Sequence, residues 1–212
     1  MAAIDTNDWW GSEAITAYFA TKNPNELLVQ WLNEGILPKP NSVIDMGCGY
    51  GRNLTLFTEA TFAAAFDPSS GSVLFTMQRS DTPKKLSIIP GSLPDHPFAG
   101  ECFDLAIADG VLHQLISEES WNLSLVAICK AVMPDGWLFL SSFVSDIDPG
   151  GYHSSDGLLW TAKDYPPMRL YRSAEVIARL VASGFAVVRS VVEQFDLSSG
   201  SRTNLTILSR FI

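Results

Sequence analysis

Three alternate glycines follow an acidic residue in the stretch VIDMGCGYGRNL at 43–54, where Asp45 precedes Gly47, Gly49 and Gly51. Glycine adopts positive φ angles without strain and lets a ligand approach the backbone closely. A helix that begins after such a turn presents unpaired N–H groups and a partial positive charge. The spacing therefore predicts a strand, a tight turn and a helix that together bind a nucleotide-like ligand.

Polar residues also follow the next apolar runs of the chain. Asp67 stands 22 residues past Asp45, where an acid accepts hydrogen bonds from a ribose diol. Residues 91–93 follow the third run, and residues 109–114, DGVLHQ, follow the fourth. In an open α/β sheet, ligands bind at the carboxyl ends of the strands, so we expect these segments to lie around one site.

Apolar runs alternate with helical patterns, which predicts a doubly wound α/β sheet. The predicted strands are 43–46, 62–66, 86–89, 103–108, 137–143, 186–192 and 205–211. Only the loop 198–202 separates the last two runs, which is too short for a helical crossover, so they should pair antiparallel. A turn is expected at 134–136.

The 212 residues fit one domain, 1–212, with four parts. Residues 1–40 are predicted to form a helical lid, with a second helix that starts near Asn23 and Pro24. The predicted parts after it are a cofactor-binding half at 41–143, a substrate loop at 144–172, and a final helix with a β-hairpin at 173–212. Long loops without periodicity are usually functional, which is why 144–172 is assigned to the substrate.

The glycine spacing separates two classes of ligand. A dinucleotide fold requires G-x-G-x-x-G, and its third glycine makes room for a pyrophosphate. Counted from Gly47, that position is Arg52. An NAD(P)-dependent oxidoreductase is therefore the less favoured alternative.

Five motifs in order resemble those of the class I S-adenosylmethionine-dependent methyltransferases. They are the glycine stretch at 45–51, FDP at 66–68, FDLAIADGVLHQL at 103–115, KAVMPDGWLFLS at 130–141 and ASGF at 182–185. The resemblance runs from about residue 42 to 212. It implies a Rossmann-like seven-stranded sheet of order 3-2-1-4-5-7-6 with an antiparallel last strand and helices on both faces.

The resemblance also implies S-adenosylmethionine as cofactor and S-adenosylhomocysteine as product. The first loop would hold the methionine part, Asp67 the ribose, and Ser92 with Leu93 the adenine, although the family often has Asp where Ser92 stands. Arg52 and Asn53 would reach the cofactor's carboxylate. The cofactor-binding residues implied are Asp45, Met46, Gly47, Cys48, Gly49, Gly51, Arg52, Asn53, Asp67, Pro68, Ser92, Leu93, Asp109, Gly110 and Val111.

Candidates for acceptor binding and catalysis are less sharply defined. His113 either faces the methyl-transfer region as a base or substrate ligand, or packs the start of a helix. The other candidates for a substrate pocket are aromatic, and packing is the alternative for each: Trp9, Trp10, Tyr18, Tyr152 and Tyr171. His96 and His153 are expected at the surface.

Composition narrows the class of acceptor. The net charge of −9 argues against broad binding of nucleic acid, and DGVL stands where methyltransferases of nucleic-acid bases have their N,D-P-P-[YF] motif. Three cysteines match no metal-binding pattern, so no metal is expected, and reduced thiols suit a cytoplasmic protein. No signal peptide or membrane span is expected.

The leading hypothesis is a methyltransferase for a small molecule, and a non-catalytic methyltransferase-like module is a further alternative. Oligomeric state is left open.

Overall fold

The computed structural model describes residues 18–163, 165–197 and 200–212. Its strands are β1 Ser42–Met46, β2 Phe62–Asp67, β3 Leu86–Pro90, β4 Phe103–Asp109, β5 Val132–Val144, β6 Leu159–Trp160, β7 Met168–Arg169, β8 Phe185–Leu197 and β9 Gly200–Phe211. Its helices are α1 Glu26–Asn33, α2 Ser70–Met77, α3 Glu118–Lys130 and α4 Ser173–Ala182, with 3₁₀ turns at Asn53–Phe57 and Leu112–Gln114.

Seven strands form one sheet of order β3-β2-β1-β4-β5-β9-β8. Strands β1 to β5 pair in parallel, whereas β9 is antiparallel to both β5 and β8. The predicted fold is thus confirmed: the last strand of the chain lies antiparallel between the fifth strand and its own hairpin partner. The short connection before β9 dictates this arrangement, because it cannot cross the sheet.

Both faces of the sheet are covered by helices, as predicted. Trp121 and Ile128 of α3 pack on one face together with Val176 of α4. Leu28 and Trp31 of α1 pack on the other face, where the Trp31 ring meets Phe139 with centroids 5.8 Å apart. The central strands are therefore buried on both sides, which explains their nearly continuous apolar sequences.

Two local predictions are corrected. The helix expected after the glycine turn is only a five-residue 3₁₀ turn, Asn53–Phe57, which four residues separate from the start of β2 at Phe62. The turn expected at 134–136 lies within β5, where Asp135 has φ 64° and the register with β4 shifts. A bulge absorbs the turn residues without ending the strand.

The segment 144–172 has structure of its own. Strands β6 and β7 pair antiparallel, and His153 forms a bridge with Thr161. A small apolar cluster holds the segment together, with Tyr152, Met168 and Leu170 buried at its centre. Its assignment to the substrate stays a prediction. In the part of the chain that the structure describes, no helix has the length and apolarity to cross a membrane.

Candidate functional site

The glycine turn after β1 has the backbone that its sequence predicts. Gly47, Gly49 and Gly51 have φ angles of 72°, 52° and 72°. A Cβ on Gly47 would lie 2.6 Å from Val111, and one on Gly51 would lie 2.6 Å from Thr76, but a Cβ on Gly49 would meet no described atom within 4 Å. Two glycines are thus required by packing, whereas Gly49 borders open space that a ligand can enter.

Asp67, at the end of β2, bonds to the backbone of this turn through its carboxylate. One carboxylate oxygen accepts the Gly49 N–H at 2.9 Å and the other accepts the Ser69 N–H at 2.9 Å. Burial raises the pKa of Asp67, and the two N–H bonds oppose that shift. Each carboxylate oxygen retains a second lone pair, so the group can still accept hydrogen bonds from a diol. From α2, the Thr76 hydroxyl donates to the Gly49 carbonyl at 3.0 Å.

Asp45 is the most unusual group in the site. Its side chain is 1% exposed, and its Oδ2 has no hydrogen-bond partner among the described residues. Burial, and then the nearby Asp109 carboxylate, raise the pKa of Asp45 to about 8, so that the group is neutral at pH 7. Buried polar atoms are nearly always bonded, so this oxygen indicates a site for a donor that a ligand supplies.

The carboxylate of Asp109, at the end of β4, accepts hydrogen bonds from three side chains in two distant parts of the chain. Arg52 reaches its Oδ2 at 2.6 Å and the Asn53 amide reaches the same atom at 3.0 Å. The Asn25 amide donates to Oδ1 at 3.2 Å. Arg52 and Asn53, which were expected to meet a ligand's carboxylate, thus bond to Asp109 here, while the Arg52 side chain stays 32% exposed. Their contact with a ligand stays a prediction.

The remaining predicted cofactor residues divide into two groups. Pro68 and Ser92 are exposed at the rim of the site, and Gly110, with φ 81°, is fixed by its N–H bond to the Ser141 carbonyl at 2.8 Å. The side chains of others point into apolar clusters, so only their backbone groups are available to a ligand: Met46, Cys48 and Leu93.

His113 lies in the 3₁₀ turn after β4 and is 7% exposed. Its Nδ1 accepts the Phe143 N–H at 3.4 Å, and the two rings are 4.5 Å apart. Burial lowers the pKa of His113 to about 4, although Asp109 opposes this shift. The imidazole is therefore neutral at pH 7, and because Nδ1 accepts, its proton belongs on Nε2. No group among the described residues bonds to Nε2.

The aromatic candidates for acceptor binding are not brought together. Trp9 and Trp10 lie outside the described residues. Tyr18 is 55% exposed, whereas Tyr171 is 3% exposed and packs against Trp121 in the main core. Tyr152 is buried in the small cluster of segment 144–172, where its hydroxyl donates to the Pro166 carbonyl at 3.3 Å.

The surface position expected for His96 is wrong. The ring is only 6% exposed and stacks on Phe66, with centroids 5.3 Å apart and planes 7° from parallel. The loop after β3 folds back and buries Leu93 and Phe98 in the core, which carries His96 inward with them. His153 is exposed, as expected.

A comparison with protein families bears on the classification. Residues 44–140 match the model described as a methyltransferase domain. Over this stretch the chain is similar to a methyltransferase domain, in agreement with the resemblance of its five motifs to the class I S-adenosylmethionine-dependent methyltransferases. The matched residues run from β1 to β5 and include the glycine turn, Asp67 and Asp109. No curated protein sequence matches this chain.

Solved methyltransferase structures share the fold at low sequence identity. Magnesium protoporphyrin IX methyltransferase from Synechocystis PCC 6803 is 15% identical, with a TM-score of 0.66, over 97% of this chain and 98% of that one. The N-methyltransferase NodS from Bradyrhizobium japonicum WM9 is also 15% identical, with a TM-score of 0.66, over 95% and 94%. The 1,6-didemethyltoxoflavin-N1-methyltransferase of Burkholderia thailandensis is 21% identical, with a TM-score of 0.62, over 96% and 81%.

Two residues of the candidate site were not foreseen from the sequence. Thr76 supports the glycine turn, and Asn25 bonds to Asp109. Asn25 did carry a local signal, since Asn followed by Glu is typical of a helix start. Its bond across 84 residues of sequence had no local signal. Among the described residues, no group of three or more His, Cys, Asp or Glu side chains is arranged to hold a metal ion.

Proposed function

We propose that this chain transfers a methyl group from S-adenosylmethionine to a small-molecule acceptor. The observation that supports this best is the buried, unpartnered Oδ2 of Asp45, in the strand that leads into the turn where Gly49 borders open space. An acid that lacks a donor, in the strand before this open backbone, fits the ammonium-bearing end of this cofactor. When bound, S-adenosylmethionine supplies a methyl group that its sulfonium already activates.

The residues around this space match the rest of the cofactor. Asp67 would accept from the ribose hydroxyls, since both of its oxygens are held in place by backbone N–H groups. Ser92 would border the adenine from the exposed rim. Arg52 would meet the carboxylate with the exposed part of its side chain.

The protein's own contribution is to align the acceptor and to exclude water. Segment 144–172 suits that role, because its apolar cluster includes Phe143, whose ring contacts His113 directly. We assign 144–172 to acceptor binding and residues 1–40 to a lid, of which residues 1–17 lie outside the described part of the chain. His113 would meet the acceptor through Nε2, the ring nitrogen that no described residue binds.

A small acceptor is favoured over a nucleic acid by charge. The net charge of −9 opposes binding to a phosphate backbone. Two of the similar structures bear names of enzymes for small molecules, magnesium protoporphyrin IX and 1,6-didemethyltoxoflavin. We place the reaction in the cytoplasm, in line with the reduced state expected of the three cysteines.

Calorimetry with S-adenosylhomocysteine tests the cofactor assignment, with NADH as the matched control ligand. We expect saturable binding of S-adenosylhomocysteine and none of NADH. No heat at millimolar S-adenosylhomocysteine would overturn the proposal. Incubation with methyl-labelled cofactor and a metabolite extract then tests transfer, and a protein that binds cofactor but labels no compound is a non-catalytic module.

A further inference from the structure

We propose that Asn25 is a positioning residue of the cofactor site, which couples the start of α1 to the Asp109 end of β4. This inference rests on the proposed function, because its readout is binding of the cofactor product. Neither the glycine turn nor the segment after β4 contains Asn25, which lies 28 residues from Asn53 and 84 from Asp109 in the sequence.

Asn25 makes four hydrogen bonds, of which one is the helical bond from the Val29 N–H to its carbonyl at 3.0 Å. Its side-chain oxygen accepts the Leu27 N–H at 3.1 Å and caps α1. Its side-chain amide donates to Asp109 Oδ1 at 3.2 Å. Its backbone N–H donates to Asn53 Oδ1 at 2.9 Å. One residue therefore joins a helix start, a strand end and the 3₁₀ turn after the glycines.

The bond to Asn53 decides how that amide is oriented. Because Asn53 Oδ1 accepts from Asn25, its Nδ2 is turned towards Asp109, where it donates to Oδ2 at 3.0 Å. Asn53 is only 3% exposed, so water cannot replace either partner easily. Asn25 thus acts on Asp109 twice, directly at Oδ1 and through Asn53 at Oδ2.

The support beneath Asn25 is rigid. Leu28 and Trp31, on the next turn of α1, are 0% and 2% exposed and pack against the sheet. The Asn25 amide is consequently held at a fixed position over the carboxyl end of β4. A cap on a loosely packed helix could not hold a carboxylate in this way.

The carboxylate that Asn25 holds stands beside the part of the site that a ligand needs. Asp109 precedes Gly110 and Val111, and the Val111 side chain packs where a Cβ on Gly47 would be. Asp109 also raises the pKa of the unpartnered Asp45. A displacement of the Asp109 carboxylate therefore changes both the shape of the glycine turn and the electrostatic potential at Asp45.

Substitution by serine separates the two roles of Asn25. Serine caps helices about as well as asparagine, but it is too short to donate to Asp109. We expect N25S to weaken binding of S-adenosylhomocysteine about tenfold in calorimetry, while the melting temperature stays near that of the wild type. N25A, which loses the cap as well, should weaken binding and also lower the melting temperature. N33S, at the exposed end of the same helix, should change neither quantity.

A double-mutant cycle with D109A tests whether Asn25 acts through Asp109. We expect N25S to weaken binding far less in the D109A background than in the wild type, because the oxygen that accepts from the Asn25 amide is gone. If N25S binds S-adenosylhomocysteine as tightly as the wild type, or if the effects of the changes at Asn25 and Asp109 on binding simply add, the positioning role of Asn25 is overturned. Either result leaves the proposed function standing. Absence of binding to the wild-type protein would instead overturn the proposed function, and this inference with it.

Discussion

The carboxylate of Asp67 accepts the N–H of Gly49 at 2.9 Å, so the acid that ends β2 also fixes the middle of the glycine turn after β1. One side chain therefore shapes the backbone beside the open space and keeps lone pairs for a ligand. Gly49 can therefore leave one face uncovered, because Asp67 at the end of β2 accepts its N–H and Thr76 of α2 donates to its carbonyl.

Replacement of Gly51 by alanine should destabilise the fold, whereas the same change at Gly49 should mainly affect binding. Both residues have positive φ, but only a Cβ on Gly51 would meet Thr76, at 2.6 Å. We expect G51A to lower the free energy of unfolding by about 2–4 kcal/mol and G49A by about 1–2 kcal/mol, measured with urea. T76S removes the methyl group in conflict and should partly rescue G51A. Equal losses in the two glycine variants would contradict this account.

Asp45 should make the stability of the protein depend on pH. Burial raises its folded pKa from 3.8 to about 8. Protonation of Asp45 therefore makes its full contribution to the free energy of unfolding below pH 3.8, and this contribution is lost as the pH rises through about 8. We expect D45N to be more stable than the wild type at pH 8, by an amount on the order of 1–3 kcal/mol. Urea midpoints at pH 5, 6.5 and 8 measure the slope, and an unchanged slope in D45N is the contrary result.

Binding of cofactor should release a proton from the same group. A donor from the ligand at Asp45 Oδ2 stabilises the ionised carboxylate, so a group that is neutral at pH 7 becomes charged. Calorimetry with S-adenosylmethionine at pH 7, in buffers of different ionisation enthalpy, counts the protons. We expect this proton release to disappear in D45N. The control is D146N, a change at a carboxylate that accepts the Ser173 N–H of α4, and it should leave the release intact.

His113 should remain neutral across the physiological range, with its proton on Nε2. Burial lowers its folded pKa from 6.5 to about 4, so its contribution to stability is present above pH 6.5 and is lost as the pH falls through about 4. Nitrogen-resolved NMR of the imidazole should give an unprotonated Nδ1 from pH 5.5 to 8.5. A ring that titrates near pH 6.5, or one protonated at Nδ1, would contradict the bond from the Phe143 N–H.

Removal of the Tyr171 hydroxyl tests whether this residue belongs to the core or to the acceptor site. The oxygen is buried and has no hydrogen-bond partner among the described residues. Y171F should therefore leave the free energy of unfolding unchanged or raise it by up to about 1 kcal/mol. It should also leave labelling of the acceptor unchanged. A large loss of transfer at unchanged stability would place the hydroxyl against the acceptor.

The sequence alone determined the features that depend on local spacing. Alternate glycines dictated positive φ angles, the strand and helix periods dictated the layers, and a short final loop dictated the antiparallel hairpin. Five ordered motifs resemble those of the class I methyltransferases, and residues 44–140 match a methyltransferase domain. These features were predictable because each is set by residues close together in the chain.

Only the tertiary structure decided which groups became partners. Arg52 pairs with Asp109 across 57 residues, Asn25 reaches the same carboxylate across 84, and Asp45 is left without a donor at one oxygen. His96 became buried because its loop packs beneath β2. Such contacts depend on which strand ends are neighbours and how far each side chain reaches, and the order of residues along the chain specifies neither directly.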